Sequence, residues 1–91
     1  MNNERRSRIK EAIQKLESLV ETMQDVLDEV ESIKDDEEEA FEAYPENLQY
    51  SEKGEAMQEA MGSLDDAMSE LESAKESIDE AVSALESAEE C

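Results

Sequence analysis

Large apolar residues in the first half of the chain recur at alternating steps of four and three residues. They are Ile9, Ile13, Leu16, Val20, Met23, Leu27 and Val30. This spacing puts apolar side chains on one face of an α-helix, at the a and d positions of a heptad repeat. A flanking apolar column at Ala12, Leu19, Val26 and Ile33 widens that face to three positions in seven. The pattern predicts a long helix over about residues 3–40.

The second half repeats this spacing, with one interruption at Lys75. Its apolar positions are Met57, Met61, Leu64, Met68, Leu71, Ile78, Val82 and Leu85. The flanking column contains only alanine, at Ala60, Ala67, Ala74, Ala81 and Ala88. Small side chains in one column allow two helix backbones to approach more closely than usual, although alanine is also the best helix former. A second long helix is predicted over about residues 52–89.

Helix-breaking residues lie between the two apolar patterns. Pro45 is the only proline, and it disfavours helical backbone at the preceding residue, Tyr44. Ser51 is a suitable N-cap for the second helix. We therefore predict an irregular corner over about residues 41–51, joining two antiparallel helices. The predicted fold is all-α, a single helical-hairpin domain that covers residues 1–91.

Each predicted helix carries an apolar stripe that is too wide for one partner helix to cover. Two hairpins together would bury both stripes, as a four-helix bundle or higher oligomer, so we expect a homo-oligomer. The alternative is that the exposed stripe docks a different protein. The predicted oligomer interface consists of Leu19, Val26, Ile33, Ala60, Ala67, Ala74, Ala81 and Ala88.

The charge of the chain restricts its partners. Its 28 acidic and 8 basic residues give a net charge of −20, which opposes direct binding to nucleic acid or an anionic membrane and favours a basic protein surface. Residues 1–15 are locally basic, and an antiparallel hairpin would place them beside Glu86, Glu89 and Glu90. The acidic run from Asp35 to Glu39 lies at the end of the first helix, where the helix dipole disfavours anions.

That acidic run has two interpretations, a frayed solvated helix end or an anionic tip that meets a basic partner. The three aromatic residues lie beside it, and they either cap the apolar core or form a contact patch. The predicted partner-binding residues combine both features: Asp35, Asp36, Glu37, Glu38, Glu39, Phe41, Glu42, Tyr44, Glu46 and Tyr50.

The corner also carries a family resemblance. The stretch from Tyr44 to Gln49 reads Tyr-Pro-Glu-Asn-Leu-Gln, and the stretch from Ser51 to Met57 reads Ser-Glu-Lys-Gly-Glu-Ala-Met. These segments resemble small acidic helical proteins encoded by phages and prophages of Gram-positive bacteria, which have a central Pro-Glu-x-Leu-Gln and Ser-Glu-Arg/Lys-Gly segment. The resemblance implies a phage-type setting and no particular activity.

The residues do not indicate catalysis. There is no histidine and only one cysteine, Cys91, so the usual zinc and di-iron ligand sets are missing, and no glycine-rich phosphate loop is present. We predict no enzyme activity, no cofactor and no metal, and a location in the cytoplasm of a bacterial host cell.

The leading hypothesis for function is an acidic binding protein that occupies a basic surface of a nucleic-acid-binding or host-defence protein, as a DNA mimic or inhibitor. The alternatives are a structural or assembly protein that acts through self-association and, as a weaker option, a small-molecule sponge at an oligomer interface.

Overall fold

Two long helices form an antiparallel hairpin in the computed structural model, which describes residues 1–91. Helix α1 spans Asn3–Glu42, a short helix α2 spans Glu46–Gln49, and helix α3 spans Glu52–Glu90. The molecule is a rod with extents of 68 × 15 × 13 Å. The predicted all-α hairpin is confirmed. Neither long helix contains an apolar stretch that would cross a membrane.

Helix α1 begins at a polar cap and ends at the proline corner. The Asn2 side chain accepts a hydrogen bond from the backbone N–H of Arg5 (2.9 Å), which satisfies one of the free donors of the first turn. The helix continues about two residues beyond the predicted end because Phe41 continues the apolar spacing. It stops at Ala43, just before the Tyr44–Pro45 pair that disfavours helix.

The corner is more regular than the sequence predicts. After Pro45 the chain forms the helical turn α2, in which the backbone N–H groups of Leu48 and Gln49 donate to the Pro45 carbonyl at 2.8 and 3.1 Å. The Gln49 side chain reaches back and donates to the carbonyls of Tyr44 (3.2 Å) and Phe41 (3.4 Å). It thereby ties α2 to the end of α1, where the Phe41 carbonyl also accepts the Tyr44 backbone N–H at 3.1 Å.

Helix α3 begins where the corner packs closely against it. Ser51 is the N-cap, and its hydroxyl accepts a hydrogen bond from the Gly54 N–H (3.3 Å). Gly54 is buried, and a Cβ atom at this position would lie only 2.2 Å from the carbonyl oxygen of Gln49. Only glycine therefore allows α2 and the first turn of α3 to approach this closely.

The apolar seam between α1 and α3 is thin. Its only buried apolar side chains are Ile13 and Leu27, with 8% and 6% of their surface exposed. The other a and d side chains, such as Leu16, Leu64 and Leu71, are half-buried. A single pair of helices shields each apolar stripe from one direction only, so one hairpin leaves much of its stripe in water.

Candidate functional site

Polar contacts between α1 and α3 show which heptad positions share a side of the rod. Lys10 Nζ lies 3.4 Å from Glu89 Oε1, Lys75 Nζ donates to Gln24 Oε1 at 2.8 Å, and Lys34 Nζ lies 2.5 Å from Asp65 Oδ1. With Ile13 of α1 and Met61 of α3 as a positions of the heptad, each pair joins an a position of one helix to an e position of the other. The e positions of both helices therefore line one long side of the hairpin, and the g positions line the opposite side.

We call the side formed by the e and b positions the acidic side. Its single basic residue is Lys10. Two ion pairs, Lys10–Glu89 and Lys34–Asp65, are the only salt bridges in the molecule, so most carboxylates on this side have no cationic partner. The acidic side contains Glu17, Glu21, Asp28, Glu31, Asp35, Glu38 and Glu42 of α1 and Glu55, Asp65, Glu72, Glu76, Asp79, Glu86 and Glu90 of α3.

We call the side formed by the g and c positions the apolar side. Of the 28 acidic residues, only Glu29, Asp36 and Glu70 lie on it. Its centre contains both flanking columns, and the structure brings together all eight residues of the predicted oligomer interface. Leu19, Val26 and Ile33 are 46%, 43% and 45% exposed, Ala67, Ala74 and Ala81 are exposed, and Ala60 and Ala88 are half-buried. The alanine column thus lies beside the α1–α3 seam rather than in it.

The acidic run at the end of α1 does not form one surface. Asp35 and Glu38 lie on the acidic side, and Asp36 lies on the apolar side. Glu39 lies on the outer edge of α1, which is formed by the f positions that face away from α3. Glu37 occupies a d position and is half-buried. Five consecutive helical residues point around the whole helix. The acids predicted to form one tip therefore lie on different sides of α1. Of these acids, Asp35, Glu38 and Glu42 continue the acidic side.

The predicted aromatic residues divide in the same way. Phe41 and Tyr44 are half-buried at the end of the seam, and the Lys53 ammonium lies 5.7 Å from the centre of the Tyr44 ring. Its interaction with the Tyr44 side chain raises the pKa of Lys53 above the ordinary value of 10.5. Tyr50 is 76% exposed. Phe41 and Tyr44 thus close the end of the seam, and Tyr50 is the one aromatic side chain that is mostly exposed.

The opposite end of the rod is held by polar contacts between the ends of the two long helices. Lys10 pairs with Glu89, and Arg6 donates its Nε hydrogen to the Glu89 carbonyl at 3.1 Å. The structure thus shows the expected pairing of the basic segment with α3, through Glu89, while Glu86 and Glu90 form no salt bridge. Arg6 and Lys10 therefore already have bonding partners within the hairpin.

Two lysines interrupt the middle of the seam at a positions, and both bond across it. Lys75 bonds Gln24, and Lys34 bonds Asp65. The hydrogen bond and charge of Asp65, with smaller contributions from Glu38 and Asp35, raise the pKa of Lys34 above 10.5. Lysine at an a position disfavours other helix registers, because any shift would leave the ammonium among apolar side chains.

No group of three or more acidic or cysteine side chains is placed to hold a metal ion. Cys91 is exposed, and its thiol is directed at the Ser87 carbonyl (3.4 Å). What the molecule presents is two contrasting long surfaces, one acidic and one apolar.

Comparison of the chain with known protein families, with characterised proteins and with solved structures found no match.

Proposed function

We propose that this protein is a non-catalytic binding protein whose acidic side occupies a basic surface on a nucleic-acid-binding protein. The observation that carries the proposal is the concentration of unpaired carboxylates along one long side of a narrow rod. Carboxylates without internal partners contribute nothing to the fold through ion pairing. They remain free to attract a basic partner, and the resulting field is strongest on the side where they are concentrated.

The spacing of the acidic residues supports a partner that ordinarily binds a polyanion. All 28 acids along a rod of 68 Å give one charge per about 2.4 Å, against about one per 1.7 Å for duplex DNA. The acidic side alone carries about half of these charges. It therefore offers about one charge per 5 Å, within a factor of about 1.5 of the spacing of phosphates along one DNA strand, about 3.4 Å. A basic groove that binds one strand or one face of a duplex is a suitable partner.

The contact surface that we propose is smaller at the corner than the sequence predicts. Asp35, Glu38 and Glu42 continue the acidic side, and exposed Tyr50 adds an aromatic contact at the same end. Phe41 and Tyr44 support this end from inside. In the phage-type setting that the corner sequence implies, a nucleic-acid-binding protein of host defence is the class of partner we favour.

The test is affinity capture from a lysate of a Gram-positive bacterium at low salt, with three forms of the protein. The first is the wild type, and the second carries Asp35→Lys, Glu38→Lys and Glu42→Lys on the acidic side. The third is a matched control in which the same number and types of acid are reversed on the outer edge of α1, at Glu11, Asp25 and Glu39. Lysine near the end of α1 suits the helix dipole, so lost binding in the second form would not reflect a weakened helix.

We expect the wild type and the outer-edge variant to capture a basic nucleic-acid-binding protein, and the acidic-side variant to lose it. The captured protein should be released by about 0.5 M salt, where the Debye length falls to about 4 Å, and DNA or RNA should compete for it. Affinity that is unchanged between low and high salt would contradict the proposal. A fourth form, Val26→Gln, tests the apolar side. Equal capture by the first three forms, with loss of capture by Val26→Gln, would instead identify an assembly protein that acts through the apolar side.

A further inference from the structure

The apolar side is the one long surface of this molecule on which a second copy of the same chain can lie. A folded monomer of 10.3 kDa is expected to expose about 5,400 Å², whereas this hairpin exposes 6611 Å². The excess is about 1,200 Å². A face of about 68 by 15 Å covers about 1,000 Å² per copy, so two copies would bury about 2,000 Å², the upper end of a standard stable interface.

Charge selects this side and also selects the orientation of the second copy. Along the c positions of α1, Arg8 and Lys15 come first, Thr22 follows, and Glu29 and Asp36 come last. When a second α1 lies antiparallel across the first, with Thr22 of both copies at the centre, Arg8 faces Asp36 of the second copy and Lys15 faces Glu29. The two-fold axis repeats both pairs, so four opposite-charge pairs flank the interface.

The same axis arranges the apolar columns without conflict. On α1 it places Leu19 level with Val26 of the second copy to within one residue. The cross-helix pairs of the hairpin place Thr22 level with Ser77, because the residue numbers in each pair add up to 99. On α3 the axis therefore places Ala74 within one residue of Ala81, and Ala67 within one residue of Ala88, of the second copy. The alanine column then allows the two α3 helices to approach closely, while the larger side chains fill the α1 half.

A parallel arrangement, with both corners at the same end, does not fit these charges. It would place α1 over α3 of the second copy, with Glu29 against Glu70 and the two acidic corners side by side. We propose that the protein forms a two-fold symmetric antiparallel dimer through the apolar side, a four-helix bundle with the two corners at opposite ends. In this dimer the acidic side of each copy faces outward.

The native cysteine tests the arrangement without any substitution. Cys91 is exposed and is the only cysteine, so a nitroxide label attaches at one defined place per copy. It lies 14 residues beyond Ser77, so the two labels of an antiparallel dimer would be separated by about 42 Å along the rod at 1.5 Å per residue. In a parallel dimer the labels would be about 20 Å apart or less, given bundle helix spacings of about 8–10 Å.

We expect sedimentation equilibrium in 0.15 M salt to give twice the mass of one chain, and pulsed electron paramagnetic resonance to give a distance near 42 Å. A monomer at concentrations up to about 0.1 mM would overturn the proposal, and so would a trimer. A single short label distance would also overturn it. A monomeric hairpin that keeps its helical circular dichroism would indicate that another protein covers the apolar side.

A matched pair of substitutions tests the charge pairing. Glu29→Lys lies on the apolar side and would set two lysines against each other, the introduced one and Lys15 of the second copy, whereas Glu21→Lys makes the same charge change on the acidic side. We expect Glu29→Lys to raise the dimer Kd about tenfold, because two pairs turn from attractive to repulsive. Glu21→Lys should leave the Kd unchanged or lower it, because it reduces the net charge. A tighter dimer with Glu29→Lys would overturn the antiparallel pairing.

Discussion

Replacing either glycine of α3 by alanine should change stability in opposite directions. Alanine is favoured over glycine within a helix by about 1 kcal/mol, because glycine loses more backbone entropy on folding. At Gly62 nothing lies within 4 Å of the added Cβ atom. Gly62→Ala should therefore stabilise the protein by about 1 kcal/mol, which raises the Tm of a domain of this size by about 4–8 °C.

At Gly54 the added Cβ atom would collide with backbone atoms of the corner. The added Cβ atom would lie 2.2 Å from the Gln49 carbonyl oxygen and 2.8 Å from that of Leu48, and contacts below 3.0 Å essentially do not occur. The corner would have to move by about 1 Å, and these are backbone atoms that no side-chain rotation can displace. Overpacking of this kind costs about 1–3 kcal/mol, and the upper end applies at this position. After the helix-propensity gain, we expect Gly54→Ala to destabilise by about 2 kcal/mol and to lower the Tm by about 8–16 °C.

The assay is thermal unfolding followed by circular dichroism at 222 nm, with all forms at one protein concentration because self-association would make Tm concentration-dependent. Gly62 lies at a b position, away from the apolar side, so it controls for helix propensity alone. If Gly54→Ala melts at or above the wild-type temperature, α2 does not pack closely on α3, and the requirement for glycine at the corner is refuted.

Three further predictions concern the seam and the charge. Leu27→Ala should destabilise by about 2–4 kcal/mol in chemical unfolding, because Leu27 is the most buried apolar side chain, and a cost below about 1 kcal/mol would contradict its place in the core. Raising salt from 0.05 to 0.5 M should raise the Tm, because screening weakens repulsion within a chain of net charge −20; a falling Tm would refute this. The raised pKa of Lys34 means that its bond to Asp65 stabilises the fold at neutral pH, and that this contribution is lost as pH rises above about 10.5. Lys34→Gln should therefore lose less stability than the wild type between pH 9 and 12 in denaturant titrations, and parallel losses would contradict that role.

The long helices follow from the sequence because each is determined by a repeat that many residues share. A seven-residue apolar period over about ten turns tolerates single interruptions such as Lys75. The Ser51 cap is equally local, since a side chain bonds a backbone group three residues away. These features need no knowledge of what lies across the molecule.

The corner and the two sides could not be predicted in the same way. The helical turn α2 depends on Gln49 reaching the end of α1, and the need for glycine at position 54 depends on the distance between two backbones. The sorting of acids into an acidic side requires knowing that e positions of both helices meet. The acids are nearly absent from the g and c positions, and this pattern could have predicted the two sides. A total charge of −20 does not reveal it, because the total says nothing about position.

Segregation of the acids resolves the conflict between high charge and self-association. In the proposed dimer the acidic sides are separated by the thickness of two rods, about 26 Å from the 13 Å extent of one, against a Debye length of about 8 Å at physiological salt. Repulsion between the two acidic sides is therefore largely screened, whereas acids spread evenly around each rod would have met at the interface. Salt should therefore act differently on the two surfaces. Screening weakens both the residual repulsion and the four opposite-charge pairs of the dimer, so the dimer, which is held mainly by apolar burial, should change little in Kd, whereas a basic partner should bind much more weakly. Dimerisation and partner binding measured on one salt series would therefore separate the two proposals.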